Sequence, residues 1–300
     1  MTPALTLRRA TRGFSLIELM VAMSIGLILT LIIGQIFINS RAVFASTDNL
    51  SRLQENARYA LNLISRQVRA AGFMSDGRPT KDIVLYPSPA TSWQFTAIQG
   101  TDGGTVAVPA GNSGVPDSIT LRFQGNGTGT GAGNADGTVQ DCLGNRVPYA
   151  VTVTNTFLIQ NDAANNNEPT LFCNTDPVNL TTCVAATCFP LVPGVENMQI
   201  LYGEDFTDWT GGSFASTDGS ADRWLTAASF PPTPSAPGVW ANVVSVRISL
   251  LMRTADRVAD RPTPNTTFYA MSGTNVYAPG TDTRLRRSFT MVINLRNNTQ

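Results

Sequence analysis

Histidine is absent from all 300 residues, and lysine occurs once, at Lys81. Without histidine there is no Ser-His-Asp or Cys-His catalytic arrangement, and the commonest zinc ligand is missing. Charge is scarce too: 21 basic and 21 acidic residues cancel, and charged residues make up 14% of the chain. Nucleic-acid binders ordinarily carry a basic patch or stripe; nothing in this sequence suggests one, and no nucleic-acid partner is expected. No nucleophile and base can be paired, so no catalytic residue is named, no enzymatic activity is expected and no cofactor is implied.

What is present begins with Gly13-Phe14-Ser15-Leu16-Ile17-Glu18, which opens an apolar run reaching Ile38. Glu18 is the one charge in that run, and the next is Arg41. About 20 apolar residues suffice for a helix to cross the hydrocarbon core of a membrane. Arg8, Arg9 and Arg12 precede the run with no acidic residue among them, so the positive-inside tendency places the N-terminus in the cytoplasm and the remainder outside. A secretory signal peptide would use Val43-Phe44-Ala45 as its cleavage site, but the run exceeds the ~7–15 residues of a signal h-region. A plain signal anchor leaves Glu18 unexplained, because a charge in the apolar zone costs ~2.5–3.5 kcal/mol on insertion scales.

Gly13-Phe14-Ser15-Leu16-Ile17-Glu18-Leu19-Met20-Val21 resembles the processing site of type IV prepilins, and the basic leader fits that family. The resemblance implies cleavage by prepilin peptidase between Gly13 and Phe14 and N-methylation of Phe14, with the apolar run retained. Glu18 lies one helical turn from the new amino terminus, on the same face, and a carboxylate is favourable near the positive end of a helix dipole. In the family this glutamate neutralises the amino terminus of a neighbouring subunit during assembly, the role the resemblance implies for Glu18. Removing Arg8, Arg9 and Arg12 leaves 18 basic against 21 acidic residues, a mature charge of −3.

Beyond Ile38 the helical period continues. Phe44, Leu50, Leu53, Ala57, Leu61, Ile64, Val68 and Ala71 recur at steps mostly of three and four, with Arg52, Glu55, Arg58, Arg66 and Arg69 off the stripe. Gly72 is placed as a C-cap. A helix from Phe14 to Ala71 would measure roughly 87 Å at ~1.5 Å per residue, so its amphipathic half needs an apolar partner beyond the membrane. Gly26 and Gly34 lie in the apolar half, where small residues let helices approach closely.

From Phe73 the sequence turns to short β-like runs among Gly, Pro, Asn, Thr and Ser. Asp82–Tyr86, Trp93–Ile98 and Ser118–Phe123 read as strands. Gly125–Gly137 and Asn161–Asn167 read as loops; the first lacks the Gly-Lys-Ser/Thr ending of a phosphate cradle. Val244, Val246, Ile248, Leu250 and Met252 alternate with polar residues, as do Phe289, Met291, Ile293 and Leu295. With Val195–Tyr202 they predict an antiparallel sheet under the helix. Gly194 to Asp205, the strand ending at Arg253, and Gln54 to Leu61 resemble PilW-type minor pilins.

Cys142, Cys173, Cys183 and Cys188 all follow the apolar run, and an even number in an oxidising compartment predicts two disulfides out of three possible connectivities. Their spacing, without a Cys-x-x-Cys, fits zinc poorly. Glu204, Asp205, Asp208, Asp218 and Asp222 cluster near Trp209 and Trp224. Oxygen-rich loops can bind calcium, making Asp205, Asp208, Asp218 and Asp222 a calcium hypothesis, although the spacing is not that of an EF-hand and a solvated loop explains it as well.

The resemblance implies an α+β pilin fold: a long N-terminal helix, apolar and transmembrane in its first half and amphipathic and periplasmic in its second, packed on an antiparallel β-sheet domain with long loops. The expected divisions are a leader at 1–13, the transmembrane and assembly half at 14–38, the amphipathic half at 39–72 and a periplasmic domain at 73–300. The implied function is that of a minor pilin in type IV pilus assembly and initiation, supporting adhesion and twitching motility; a type II secretion pseudopilin is the alternative. Implied partners are prepilin peptidase/N-methyltransferase, other minor and major pilins, the inner-membrane assembly platform and a tip adhesin. The implied location is the inner membrane of a Gram-negative-type bacterium, single-pass and N-in, then the pilus.

Overall fold

The computed structural model describes residues 13–75, 96–103, 115–177, 179–180, 183, 186–205, 209–210, 213–214, 219–230, 240, 242–257, 268–269, 271, 276–277 and 282–297. The chain divides into two units, Met1–Asp48 and Asn49–Gln300, and one helix, α1 (Leu16–Ala70), contributes to both.

In the first unit every described residue from 13 to 41 is exposed. An 18-residue window of α1 reaches a mean hydropathy of 2.5 with none of it buried, long and apolar enough by length and composition to cross a membrane. Its hydroxyls are turned back on the helix: Ser24 Oγ donates to Val21 O at 2.8 Å, and Thr30 Oγ1 donates to Gly26 O. Such bonds to the preceding turn satisfy polar groups that hydrocarbon could not.

In the second unit α1 buries Leu53, Ala57, Ala60, Leu61, Ile64 and Val68, while Arg52, Glu55, Arg58, Arg66 and Arg69 are exposed. The observed stripe starts later than the period suggested, since Phe44 is 73% exposed and belongs to the other unit. Gly72 ends the helix at φ +78°, a left-handed conformation that glycine adopts without penalty. Its N–H leaves the helix and donates to Arg122 O at 2.9 Å, tying the cap to a strand. Asn297 Nδ2 donates to the carbonyls of Arg69 and Ala71 at 3.3 and 3.2 Å, so the chain's far end covers helix carbonyls that lack intrahelical partners.

Five strands, β1 (Ile98–Thr101), β2 (Ser118–Gln124), β3 (Thr152–Asp162), β4 (Glu168–Asn174) and β5 (Cys188–Pro193), form an antiparallel meander in sequence order. A second antiparallel sheet takes β6 (Val195–Glu204), β9 (Arg223–Leu225), β10 (Val243–Arg257) and β13 (Arg284–Asn294) in the order β13-β10-β6-β9. Two short ribbons pair β7 (Trp209–Thr210) with β8 (Ser213–Phe214) and β11 (Phe268–Tyr269) with β12 (Val276–Tyr277). The three late strands expected from alternation are β6, β10 and β13, with Ile248 opposite both Ile200 and Met291. Asp82–Tyr86 and residues 93–95 of Trp93–Ile98 lie outside the described residues; Ile98 opens β1.

One cluster joins the α1 stripe to Ile119, Leu121, Phe157 and Leu171 of the meander and to Met198, Ile200, Val246, Ile248 and Leu250 of the second sheet. The helix therefore shares its core with both sheets, and the α+β class with a helix packed on antiparallel sheet is observed. Gly100 makes room for this packing: a Cβ there would collide with the phenol of Tyr202, which is buried against Phe230 and Trp240 at 5.9 and 4.9 Å between ring centroids.

Candidate functional site

Gly13, Phe14 and Ser15 precede the first helical residue, Leu16. Ser15 and Glu18 then make a reciprocal pair: Ser15 N–H donates to Glu18 Oε2 at 3.0 Å, and Glu18 N–H donates to Ser15 Oγ at 3.3 Å. This is a capping box, which satisfies two backbone donors at a helix start. Leu19 N–H continues the pattern by bonding Ser15 O at 3.2 Å. The sequence carries the signal, since Ser-Leu-Ile-Glu before an apolar run is the pattern of such a box. Phe14 is 89% exposed and adjoins Gly13 just outside the helix. The structure thus gives Glu18 a local occupation, orienting the first turn, in addition to any role toward another chain.

The cysteines pair as Cys142–Cys173 and Cys183–Cys188. The first pair lies in the main core, and Cys173 reaches it from β4. The second lies on the other face of the meander, where Cys188 packs with Leu158 and Phe172. Each disulfide therefore staples one face of the same sheet.

The acidic stretch is largely engaged by the protein itself. Arg223 Nε donates to Glu204 Oε2 at 2.8 Å, and Asp205 Oδ2 accepts the Gly219 N–H at 2.7 Å. Asp222 uses its backbone N–H on Glu204 O at 3.0 Å. Asp208 and Asp218 of the calcium hypothesis lie outside the described residues, as does the Trp209 side chain. Among the described residues no group of three or more His, Cys, Asp or Glu is placed to hold a metal ion. Trp224 is covered by the Arg247 guanidinium at 4.2 Å from its ring centroid, a cation–π contact.

Charged groups that the sequence did not mark are buried elsewhere. Arg253 Nε and Nη2 donate to both oxygens of Glu168 at 2.9 and 2.8 Å, and its Nη1 donates to Glu196 Oε1 at 3.0 Å. Arg286 donates to Glu196 through Nε at 2.6 Å and Nη2 at 2.8 Å, and to Asp282 Oδ2 at 2.6 Å. This network links β4 of the meander to β6, β10 and β13 of the second sheet. Partial desolvation pushes the Asp282 carboxyl up, but the hydrogen bonds from Arg286 and from the Arg284 N–H, with the charges of both arginines, together hold it below the usual carboxylate range. Asp117 is shifted oppositely: burial pushes it up to about 7 although it accepts backbone N–H groups from Ile200 and Gly103. Arg122, 1% exposed, donates to Thr96 O and Gln99 Oε1, and burial pulls it down to about 9. None of these groups forms a nucleophile–base pair, and their arrangement is that of structural ties.

Two family models match the chain. The prokaryotic N-terminal methylation motif covers residues 8–34, and the type IV pilus-assembly protein W family covers residues 156–297. A solved type IV-like pilin from Thermus thermophilus is similar at 14% identity and a TM-score of 0.40, over 83% of this chain and 99% of its own. None of the curated proteins matches this chain. The resemblance to PilW-type minor pilins read from the sequence is borne out by the two family models, one at each end of the chain. They support a type IV pilin role for a structural, membrane-anchored subunit, and the methylation motif implies processing by prepilin peptidase.

Proposed function

We propose that the chain is a minor subunit of a type IV pilus that acts in assembly and initiation of the filament, and through it in adhesion and twitching motility. The observation that carries this reading is the joining, in one chain, of the methylation motif, an apolar stretch exposed at every residue from 13 to 41, and a PilW-type domain. Prepilin peptidase cuts between Gly13 and Phe14 and methylates Phe14. Residues 14–38 hold the subunit in the inner membrane and then enter the helix bundle of the filament. The disulfide-stapled domain stays periplasmic and meets neighbouring pilins, the assembly platform and a tip adhesin.

Cleavage turns the Phe14 nitrogen into an ammonium one residue before the capping serine. Glu18, already fixed at the helix start by Ser15, presents its carboxylate to the corresponding ammonium of a neighbour. An unpaired charge in a low-dielectric bundle is costly, so pairing favours the correct register. The test is Glu18→Ala expressed at the native level. Cleavage at Gly13 should persist while piliation falls; normal piliation would remove Glu18 from the assembly mechanism. A deletion that abolishes protein secretion and leaves pili intact would favour a secretion pseudopilin instead.

A further inference from the structure

β13 ends its sheet, and among the described residues only β10 pairs with it. Leu295 N–H donates to Val244 O at 2.8 Å. In an antiparallel ladder, pairs that exchange hydrogen bonds alternate with pairs that do not. Stepping by two through the register, Ile293 opposite Val246, Met291 opposite Ile248 and Phe289 opposite Leu250 are bonded pairs. Ser288, Thr290, Val292 and Asn294 consequently turn both N–H and C=O away from β10, and all four side chains are exposed, Val292 to 50%. From Ser288 to Asn294 this edge contains no charge and no proline, so it lacks the usual devices that blunt an edge strand against pairing.

We propose that the outer edge of β13 is a strand-addition site that receives an extended segment of another protein, antiparallel, with carboxylates at its C-terminal end. The edge offers four N–H and C=O pairs at alternate residues, the spacing that an added strand uses. The charges choose the occupant. Arg287 and Arg296 are exposed at opposite ends of the edge. A second copy of this chain, paired so that 288 faces 294 and 290 faces 292, brings no carboxylate to either end, because residues 283–297 contain neither Asp nor Glu and Arg286 is already held by Glu196 and Asp282. An acidic end beside Arg287 is attracted instead. The inference stands on the edge geometry and is independent of the pilus reading.

The test uses the full chain in detergent micelles and, as probe, a labelled seven-residue peptide of alternating threonine and valine ending in two aspartates. In the free protein the amides of Ser288, Thr290, Val292 and Asn294 should exchange roughly 100-fold faster than those of Phe289, Met291 and Ile293, and the peptide should slow them. Val292→Pro removes an outward N–H only, which an edge strand tolerates, and should weaken the peptide about tenfold or more without loss of fold. Arg287→Glu, at an exposed position, should weaken this peptide and strengthen one ending in two lysines. Uniform protection in the free monomer, or wild-type affinity in both variants, overturns the proposal. Protection that appears only with a doubling of protein mass assigns the edge to a second copy and overturns the stated occupant.

Discussion

Glu196→Gln removes one charge from the network that ties the two sheets together. Glu196 is 5% exposed in its side chain and faces Arg286, 3% exposed, and Arg253, 13% exposed. Breaking a buried ion pair costs ~3–5 kcal/mol, because the remaining charge stays buried. Here each arginine keeps a second carboxylate, Asp282 for Arg286 and Glu168 for Arg253, so the lower end, about 3 kcal/mol, applies. For a folded unit of this size that is a fall in Tm of about 6–12 °C. The assay is thermal unfolding of the full chain in detergent, followed by tryptophan fluorescence at low salt and at 0.5 M salt. A buried network is weakly screened, so the loss should persist at both. A variant within about 1 °C of wild type would refute the inference that Glu196 ties the sheets. A difference that vanishes in salt would show that the network behaves as a surface pair.

Three further outcomes follow from the same core. Burial raises the folded-state pKa of Asp117 to about 7 from an ordinary value of 3.8; its contribution is therefore fully present below about pH 4 and is lost as pH rises toward 7. Asp117→Asn should flatten that part of the stability profile by up to about 4 kcal/mol, measured by urea unfolding between pH 4 and 8. Removal of the Cys142–Cys173 disulfide, which spans 31 residues, should cost about 3.7 kcal/mol, against about 2 kcal/mol for Cys183–Cys188, which spans five; equal midpoints for the two double serine variants would contradict the ordering. Gly100→Ala forces a methyl group into the Tyr202 phenol and should cost ~1–3 kcal/mol as overpacking, visible as a lower midpoint.

The sequence made some elements plain for physical reasons that also explain what it hid. The helix and β13 leave one face exposed, and β6 and β10, although largely buried, alternate polar Gln199, Ser245, Arg247 and Ser249 with their apolar core positions, so their periods of 3.6 and 2 survive as patterns. β3 and β4 are buried on both faces over most of their length, which erases alternation; Thr154, Asn155 and Thr156 are all in the interior, and Asn155 is satisfied there by Gln67 of α1 at 3.0 Å. β5 carries Pro190 and Pro193, which argue against a strand, yet it is the edge of its sheet, where proline is tolerated. Residues 163–167 form the turn between β3 and β4, with Asn166 and Asn167 at positive φ, as the composition indicated, while Asn161 and Asp162 of the expected loop belong to β3. Gly125–Gly137 is a loop tied by its own bonds, Thr128 N–H to Asn134 O and Asn126 Nδ2 to Asp136 Oδ2. The buried arginines left no trace, because pairing partners far apart in sequence carry no local period.

The most direct test of the account is the intact mass and N-terminal sequence of the protein recovered from membranes, with and without prepilin peptidase. The account predicts a chain beginning at methylated Phe14, dependent on the peptidase, with the apolar run retained. A chain beginning at Ser46, or an uncut chain in the presence of the peptidase, would contradict it and take the assembly mechanism with it.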